Sequence, residues 1–326
     1  MLAMVDTSTL TAEALARAAV ILSVGLLLTL SALISITVTL CNEALRDVIG
    51  YYMVSLSAVD LMCSVLIVPT SMYSALAPDW HFMGDNSLLC KCSVYLEVVL
   101  FANTAYTFAW IGVDRYAALM KPQRYEAEQT LTRCKCWIAF SWLTALLLSL
   151  PIVVARMQVS YYQAAELCLL DWSATAAYSL TLAVLIVFPS ASAVLFTYCA
   201  IFSAMRNTET LEDSQRMLLE TDHNFAVAFF VLISFCLSWL PVIVVRAMPE
   251  TVLSAADSAT VHFVFVWLAI GGPSSKLLIS LFINREFRSA LGSLIPSLCP
   301  CCALSANEQR RQQYRNLSIE RRTPFS

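Results

Sequence analysis

Residues 98–116 read VVLFANTAYTFAWIGVDRY, an uncharged apolar run that ends in the triplet Asp114-Arg115-Tyr116. An aspartate and an arginine beside such a run are costly in a membrane unless they face water or a partner within a helix bundle. The triplet therefore predicts the end of a membrane-spanning helix. The permanent cation of Arg115 is the first candidate for a switching group at that end.

Long uncharged runs of this kind recur along the whole chain. Of its 326 residues, 59% are hydrophobic and 13% are charged, and a soluble domain carries about twice that charged fraction. A helical span needs about 20 mostly apolar residues. Seven spans are predicted, near residues 16–40, 48–74, 89–119, 135–156, 174–205, 221–247 and 259–283. The expected fold is an all-α membrane protein, since the short alternating strands of a porin-like barrel are absent from the sequence.

The basic residues indicate which end of each span faces the cytoplasm. With the N-terminus outside, the outer loops hold only Arg17, Lys91, Arg156 and Arg246, and the inner loops and tail hold most of the others. Cytoplasmic loops carry an excess of lysine and arginine. We therefore expect a multi-pass plasma-membrane protein with an extracellular N-terminus and a cytoplasmic C-terminus.

Four segments are expected along the chain: an extracellular N-terminus over 1–15, the seven-transmembrane helix bundle over 16–283, a C-terminal amphipathic surface helix over 284–298 and a cytoplasmic tail over 299–326. The surface helix is predicted because Arg285, Glu286 and Arg288 alternate with apolar residues such as Phe287. The cysteines that follow it are candidate palmitoylation sites in contact with membrane lipid, with inert thiols as the alternative; they are Cys299, Cys301 and Cys302.

The positions of two motifs at the ends of the third span are typical of a known protein family. The stretch from Cys90 to Asp114 amounts to about 36 Å of helix, slightly more than the hydrocarbon core of about 30 Å. A cysteine at one end and an acid-arginine-tyrosine triplet at the other resemble the rhodopsin-like (class A) G-protein-coupled receptors over nearly the whole chain. The supporting motifs are Leu56-Ser57-Ala58-Val59-Asp60, Trp142, Pro151, Pro189, Phe196-Thr197-Tyr198, Trp239-Leu240-Pro241 and Phe287.

A finer resemblance is to a group of orphan receptors described as self-activating and Gs-coupled. It rests on Phe196-Thr197-Tyr198, on Cys168 with Trp172, and on Trp267-Leu268-Ala269-Ile270. It implies basal activity as one possible property of the chain.

Cysteines on the outer side lie in an oxidising compartment. Cys90, Cys92 and Cys168 are placed there, so Cys168 is expected to pair with one of the other two. The family resemblance favours Cys90–Cys168, with Cys92 as the competitor.

The resemblance also implies a switch at the cytoplasmic end that acts on a heterotrimeric G protein. Arg115 would pair with Asp114 or with the acids Glu220 and Asp222 at the foot of span six, and release from that latch would free it for the G protein. The alternative is an arginine that merely reaches the membrane surface. The remaining switch residues are Tyr116, Tyr198 and Gln123, the last at a position that is usually large and apolar.

Span seven departs from the family. Its usual Asn-Pro-x-x-Tyr motif is replaced at the matching positions by Lys276, Leu277 and Ser280. The position of Lys276 faces Asp60, where many relatives hold a sodium ion, and an unpaired buried charge is very costly. We therefore expect an Asp60–Lys276 ion pair in which the ammonium replaces sodium. In the alternative, Lys276 points into an inner water-filled cleft.

The predicted ligand pocket centres on Glu97, at the position where amine receptors keep an aspartate. Its other members are Phe101, Trp239, Val242, Arg246 and Trp267. An acidic outer face favours a cationic ligand, but Arg246 could pair with Glu97 internally. An amine, a peptide and no external ligand at all therefore stay open.

Three classes of function remain. The first is a signalling receptor, and the second is a weakly coupling receptor-fold protein that acts as a scavenger or heteromer partner, which Gln123 and the altered span seven favour. The third is a transporter, although the paired repeats of transporters are not visible. The histidines His81, His223 and His262 sit near span ends without a paired nucleophile. We expect no enzyme activity, cofactor, metal or nucleic-acid partner.

Overall fold

Seven long apolar helices make up most of the chain, and the seven predicted spans are confirmed. A computed structural model describes residues 11–77, 80, 82, 84–128, 130–155, 157–172, 174–206, 223–247 and 255–298. The helices are α1 (Ala12–Cys41), α2 (Val48–Leu76), α3 (Leu88–Met120), α4 (Pro122–Glu128), α5 (Leu131–Val154), α6 (Ala176–Arg206), α7 (His223–Ala247), α8 (Ala255–Gly271), α9 (Ser275–Ile283) and α10 (Arg285–Leu298).

Side-chain caps decide where four of these helices begin. The oxygen atoms of Thr11, Asp47, Ser87 and Thr130 each accept a hydrogen bond from a backbone N–H in the first turn of the following helix. Such caps satisfy amide groups that have no partner within the helix. The cap at Thr11 starts the first helix at Ala12, a few residues before the start predicted for the first span.

Prolines shape the interiors of the spans. In α2 a wide π-helical turn, Cys63–Ile67, comes just before Pro69, and in α6 a second π-helical turn, Ala183–Val187, comes just before Pro189. Proline has no N–H and its ring clashes with the preceding turn of an ordinary α-helix, so a widened turn accommodates it. Pro241 lies inside α7, and a 3₁₀ turn that contains Pro273 separates α8 from α9.

A β-hairpin stands between α5 and α6, where the sequence predicted only a loop. Its strands are β1 (Val159–Tyr162) and β2 (Leu167–Leu170), and they pair antiparallel with Tyr161 opposite Cys168. A disulfide joins Cys168 to Cys90 at the start of α3. We call this end of the bundle the hairpin end, and the end that holds Asp114-Arg115-Tyr116 the triplet end.

The third helix is the central element of the bundle. It packs against α2, α5 and α6 and against both strands of the hairpin. At the triplet end, α10 packs against α1 and α9, and Phe287 and Ala290 are buried with Val38 and Leu45. The core therefore holds α10 by its apolar face, as expected for an amphipathic surface helix.

Gly112 sets the spacing between α3 and α6. A Cβ atom at this position would lie 2.6 Å from Thr197 Oγ1 and 3.6 Å from Thr197 Cβ. The Thr197 hydroxyl donates to the carbonyl of Ala193 at 2.7 Å, so it is held in place. A side chain at Gly112 would therefore push the two helices apart.

We expect Gly112→Ala to destabilise the purified receptor by about 1–3 kcal/mol, the usual cost of overpacking. The double variant Gly112→Ala/Thr197→Ala should recover most of the loss, because it removes the hydroxyl. Thermal denaturation in detergent measures both. Gly292→Ala is the control, since no atom lies within 4 Å of its added Cβ. A Gly112→Ala protein as stable as the parent would contradict the argument.

Candidate functional site

The hairpin turn fills the mouth of the bundle at the hairpin end. Ala165, in the turn, is fully buried, and its carbonyl accepts a hydrogen bond from Trp267 Nε1 at 3.0 Å. Leu167 is buried in the same cluster as Phe263 and Leu100. The indole of Trp267, predicted to face a ligand, is thus occupied by the backbone of the chain itself.

A polar network fastens this turn to α1 and α2. Arg17 Nη1 lies 3.4 Å from Glu166 Oε1, and Arg17 Nη2 lies 2.8 Å from Glu13. Ser74 Oγ donates to Glu166 Oε2 at 3.1 Å, and the hydroxyl of Tyr161 donates to the same carboxylate. Burial, and then the bond to Glu166, raise the pKa of Tyr161 well above its ordinary value, so its hydroxyl stays protonated and donates.

The predicted pocket residues below the hairpin form a second group. Glu97 accepts a hydrogen bond from Ser93 Oγ at 3.3 Å. Phe101 contacts Trp239 edge-on, with ring centroids 5.6 Å apart. The Nε1 atom of Trp239 is buried and has no hydrogen-bond partner within the described residues.

Two further pocket predictions concern α7. Val242, three residues after Trp239 and so on the same helix face, is buried. The side chain of Arg246 lies outside the described residues, so its predicted pairing with Glu97 stays a prediction.

A buried ion pair lies between the two ends. Lys276 Nζ of α9 contacts Asp60 Oδ2 of α2, and the two side chains are 4% and 6% exposed. The lysine ammonium therefore lies against the aspartate carboxylate, and both groups are shielded from solvent. Nearby on α7 and α9, Ser234 and Ser275 hydrogen-bond at 2.6 Å.

The triplet end holds a closed arrangement of charges. Arg115 Nη2 lies 2.7 Å from Asp114 Oδ2, its neighbour in sequence. Arg115 Nη2 also donates to the hydroxyl of Tyr125 at 3.1 Å, and that hydroxyl donates to both oxygens of Asp114 at 3.3 Å. Burial raises the pKa of Tyr125, which keeps the hydroxyl protonated. Tyr125, which the sequence did not predict as a member, thus completes the latch between Arg115 and Asp114.

The sequence gives only a weak indication that Tyr125 has a functional role. It is the only aromatic residue in the polar stretch 121–130, and it lies on the short helix α4. An aromatic side chain in a charged segment is unusual, but nothing in the sequence predicts that the Tyr125 side chain contacts Asp114.

The other predicted switch residues lie around this latch. Tyr116 packs on Phe196 with ring centroids 5.6 Å apart, and buried Tyr198 packs on Phe229 at 5.5 Å. Gln123 is exposed on α4. The acids Glu220 and Asp222 lie outside the described residues, so a latch through them stays a prediction.

Of the other cysteines named in the sequence analysis, one lies within the described residues and three lie outside them. Cys92, the competitor for the disulfide, is free and half-buried. The palmitoylation candidates Cys299, Cys301 and Cys302 lie outside the described residues.

Comparisons with known proteins agree with this geometry. The family described as 7 transmembrane receptor (rhodopsin family) matches residues 31–273. G-protein coupled receptor 52 of mouse is 26% identical over 276 residues, which cover 80% of this chain and 75% of the relative. Probable G-protein coupled receptor 21 of human is 25% identical over 268 residues, 78% and 75% of the two chains.

A solved structure has a similar fold over most of the chain. Squid rhodopsin superimposes with a TM-score of 0.73 over 93% of this chain and 91% of its own, at 17% identity. The family match runs from within α1 to the 3₁₀ turn before α9 and so includes the hairpin, the latch and one partner of the buried ion pair. This chain therefore belongs to the rhodopsin family of seven-transmembrane, G-protein-coupled receptors.

Proposed function

We propose that this G-protein-coupled receptor signals without a diffusible agonist, because its own hairpin occupies the ligand entrance. The hairpin end faces outside the plasma membrane, and the triplet end faces the cytoplasm, with the N-terminus outside and the C-terminus inside. The placement of the basic residues along the chain supports this orientation.

One observation carries the proposal: the turn carbonyl of Ala165 is bound by the indole of buried Trp267. A diffusible ligand that used Trp267 would first have to displace the hairpin and break the Arg17–Glu166–Ser74 network. An occupant that is covalently part of the receptor has a high effective concentration. The hairpin would therefore bias the bundle at all times.

The G protein would be engaged through the triplet end. Opening of the latch would free Arg115, with Tyr198 on α6 as the tyrosine that supports it. Span seven offers Ser280 where the family supplies a second tyrosine, so the released arginine would have less support. This difference favours modest basal signalling and keeps a weakly coupling scavenger or heteromer partner as the second candidate.

An amine ligand would use the region below the hairpin. Glu97 has a single described hydrogen-bond partner, the hydroxyl of Ser93. A cation seated between Glu97 and the Phe101–Trp239 pair would gain an ion pair and aromatic contacts. Such a ligand would act beneath the hairpin and would modulate the basal signal.

The first test measures agonist-independent cyclic AMP in cells, because the finer family resemblance points to Gs. We expect the parent receptor to exceed Arg115→Ala at equal surface expression. Trp267→Phe keeps an aromatic ring, smaller than the indole, but removes the donor to Ala165, worth about 1 kcal/mol, and should lower the basal signal at least about fivefold. Trp172→Phe is the control, since Trp172 is exposed at the same end.

Two outcomes would overturn the proposal. A higher signal in Trp267→Phe would make the hairpin a restraint on the receptor and not its activator. Equal signals from the parent and Arg115→Ala, in assays for every G-protein class, would favour the weakly coupling alternative.

The buried ion pair is proposed to take the place of a sodium ion. Removal of one partner leaves an uncompensated buried charge, which costs about 3–5 kcal/mol. We therefore expect Lys276→Met to destabilise the purified receptor by that amount, and Asp60→Asn/Lys276→Met to recover most of it. Thermal denaturation of the three proteins forms the test.

The same pair predicts that sodium and potassium act alike. Basal signalling or stability that shifts with sodium chloride but not with matched potassium chloride would contradict the replacement. A double variant less stable than Lys276→Met would contradict the pairing itself.

The latch is proposed to hold the receptor inactive. Tyr125→Phe keeps the ring but removes a hydroxyl bonded to two charged groups, and such bonds are worth about 1.5–3 kcal/mol. We expect the basal signal to rise about tenfold. Tyr51→Phe is the matched control at the same end, because its ring contact with Lys135 at 4.8 Å does not need the hydroxyl. An unchanged or lower signal in Tyr125→Phe would show that the latch does not restrain the receptor.

A further inference from the structure

Four aromatic rings pack together where α6 and α7 meet. Two of them, Tyr198 and Phe202, come from α6, and the other two come from α7. Phe229 of α7 contacts the other three rings, with centroids 5.5 Å from Tyr198, 5.1 Å from Phe202 and 6.2 Å from Phe225. We call these four rings the aromatic seam. Because Phe229 is the ring that the others share, its loss would loosen the whole seam.

The ring of Tyr198 is held between this seam and α3. On one side it packs on Phe229 and, at 6.1 Å, on Phe225. On the other side it lies against Gly112, where an added Cβ atom would be 3.6 Å from Tyr198 Cε2. Gly112 comes about one helical turn before Arg115 on α3. The Tyr198 ring therefore lies about one turn from the arginine of the latch.

The hydroxyl of Tyr198 is not committed to a partner in the described part of the chain. The residue is 6% exposed, and the contacts that hold it to its described neighbours are ring contacts and not hydrogen bonds. A buried tyrosine hydroxyl ordinarily has a hydrogen-bond partner. Arg115, once released from Asp114, would offer N–H donors that a tyrosine oxygen can accept. Tyr198 therefore gains a hydrogen bond if it turns toward the released arginine.

We propose that Phe229 is a positioning residue for signalling, because it holds the Tyr198 ring in the seam and so keeps the tyrosine from Arg115 while the latch is closed. The inference rests on the proposed function, in which Tyr198 supports the released arginine. It adds a second restraint, on α7, that is separate from the latch of Asp114 and Tyr125. Signalling would then need the latch to open and Tyr198 to leave the seam.

The first experiment measures agonist-independent signalling of the full receptor in cells at equal surface expression. Phe229→Leu keeps an apolar side chain but removes the aromatic contacts, and loss of one aromatic pair shifts an equilibrium about two- to tenfold. We expect the basal signal to rise about fivefold.

Phe230→Leu is the matched control. Phe230 is the next residue on α7, is 48% exposed and contacts Phe229 at 5.7 Å from outside the seam. It should therefore signal as the parent does. An unchanged or lower signal in Phe229→Leu, or an equal rise in Phe230→Leu, would overturn the proposal.

The variant Tyr198→Phe separates positioning from packing, because it keeps the ring in the seam but removes the hydroxyl that would bind Arg115. In this background, Phe229→Leu should leave the basal signal unchanged while it still lowers the melting temperature. A rise in signal that persists without the hydroxyl would show that Phe229 acts through packing alone, and the positioning role would be wrong.

Thermal denaturation of the purified receptor in detergent tests the contact without a G protein. Tyr198→Leu and Phe229→Leu each remove one ring of the pair. The double variant should lose less than the sum of the two single losses, by about 2–4 °C, because the second change removes a contact that is already gone. Losses that add fully would overturn the contact on which the proposal rests.

The two experiments distinguish this proposal from the proposed function. If the parent exceeds Arg115→Ala but Phe229→Leu does not raise the signal, the role of Phe229 fails and the proposed function stands. If the parent and Arg115→Ala signal equally, the proposed function fails, and the thermal cycle alone decides whether Phe229 holds Tyr198.

Discussion

A charged side chain that is buried among membrane-spanning helices needs a partner within the protein. Much of the packing in this receptor depends on that constraint. Lys276 reaches Asp60 in the interior, and Arg115 reaches Asp114 at one end. Near the other end, Arg17 reaches Glu166. The Lys276–Asp60 and Arg17–Glu166 pairs join elements that are far apart in the sequence, and the Arg115–Asp114 pair fixes two neighbours on α3. Loss of one partner of a buried pair would leave an uncompensated charge, so these pairs favour the observed packing.

The third helix carries the connection between the two ends. Its first turn holds Cys90, which is bonded to the hairpin, and its last turns hold Arg115 and the latch. Between them, Gly112 allows α6 to approach without an intervening side chain. The hairpin and the latch are therefore attached to opposite ends of one continuous helix.

The sequence predicted the spans well because uncharged runs of sufficient length have few alternatives in a bilayer. The family resemblance placed Lys276 opposite Asp60, and the cost of an unpaired buried charge then led to the predicted ion pair. The hairpin was missed because its turn, residues 163–166, reads Gln-Ala-Ala-Glu, with none of the glycine or asparagine that usually marks a tight turn. Glu166 adopts a positive φ of 55° there. Tyr125 was missed because its partner is 11 residues away and on another helix, a relation that no local pattern records.

The two π-helical turns have a consequence for how this receptor is compared with its relatives. Each wide turn adds about one residue to the helix, so every position beyond it rotates by about 100° about the helix axis. In α2 this affects the residues after Ile67, among them Ser74, which bonds Glu166. Counting from Asp60 to assign equivalent positions in a relative without the wide turn would compare side chains a quarter-turn apart. A superposition of backbones, and not a residue count, is therefore the sound basis for transferring contacts at the hairpin end.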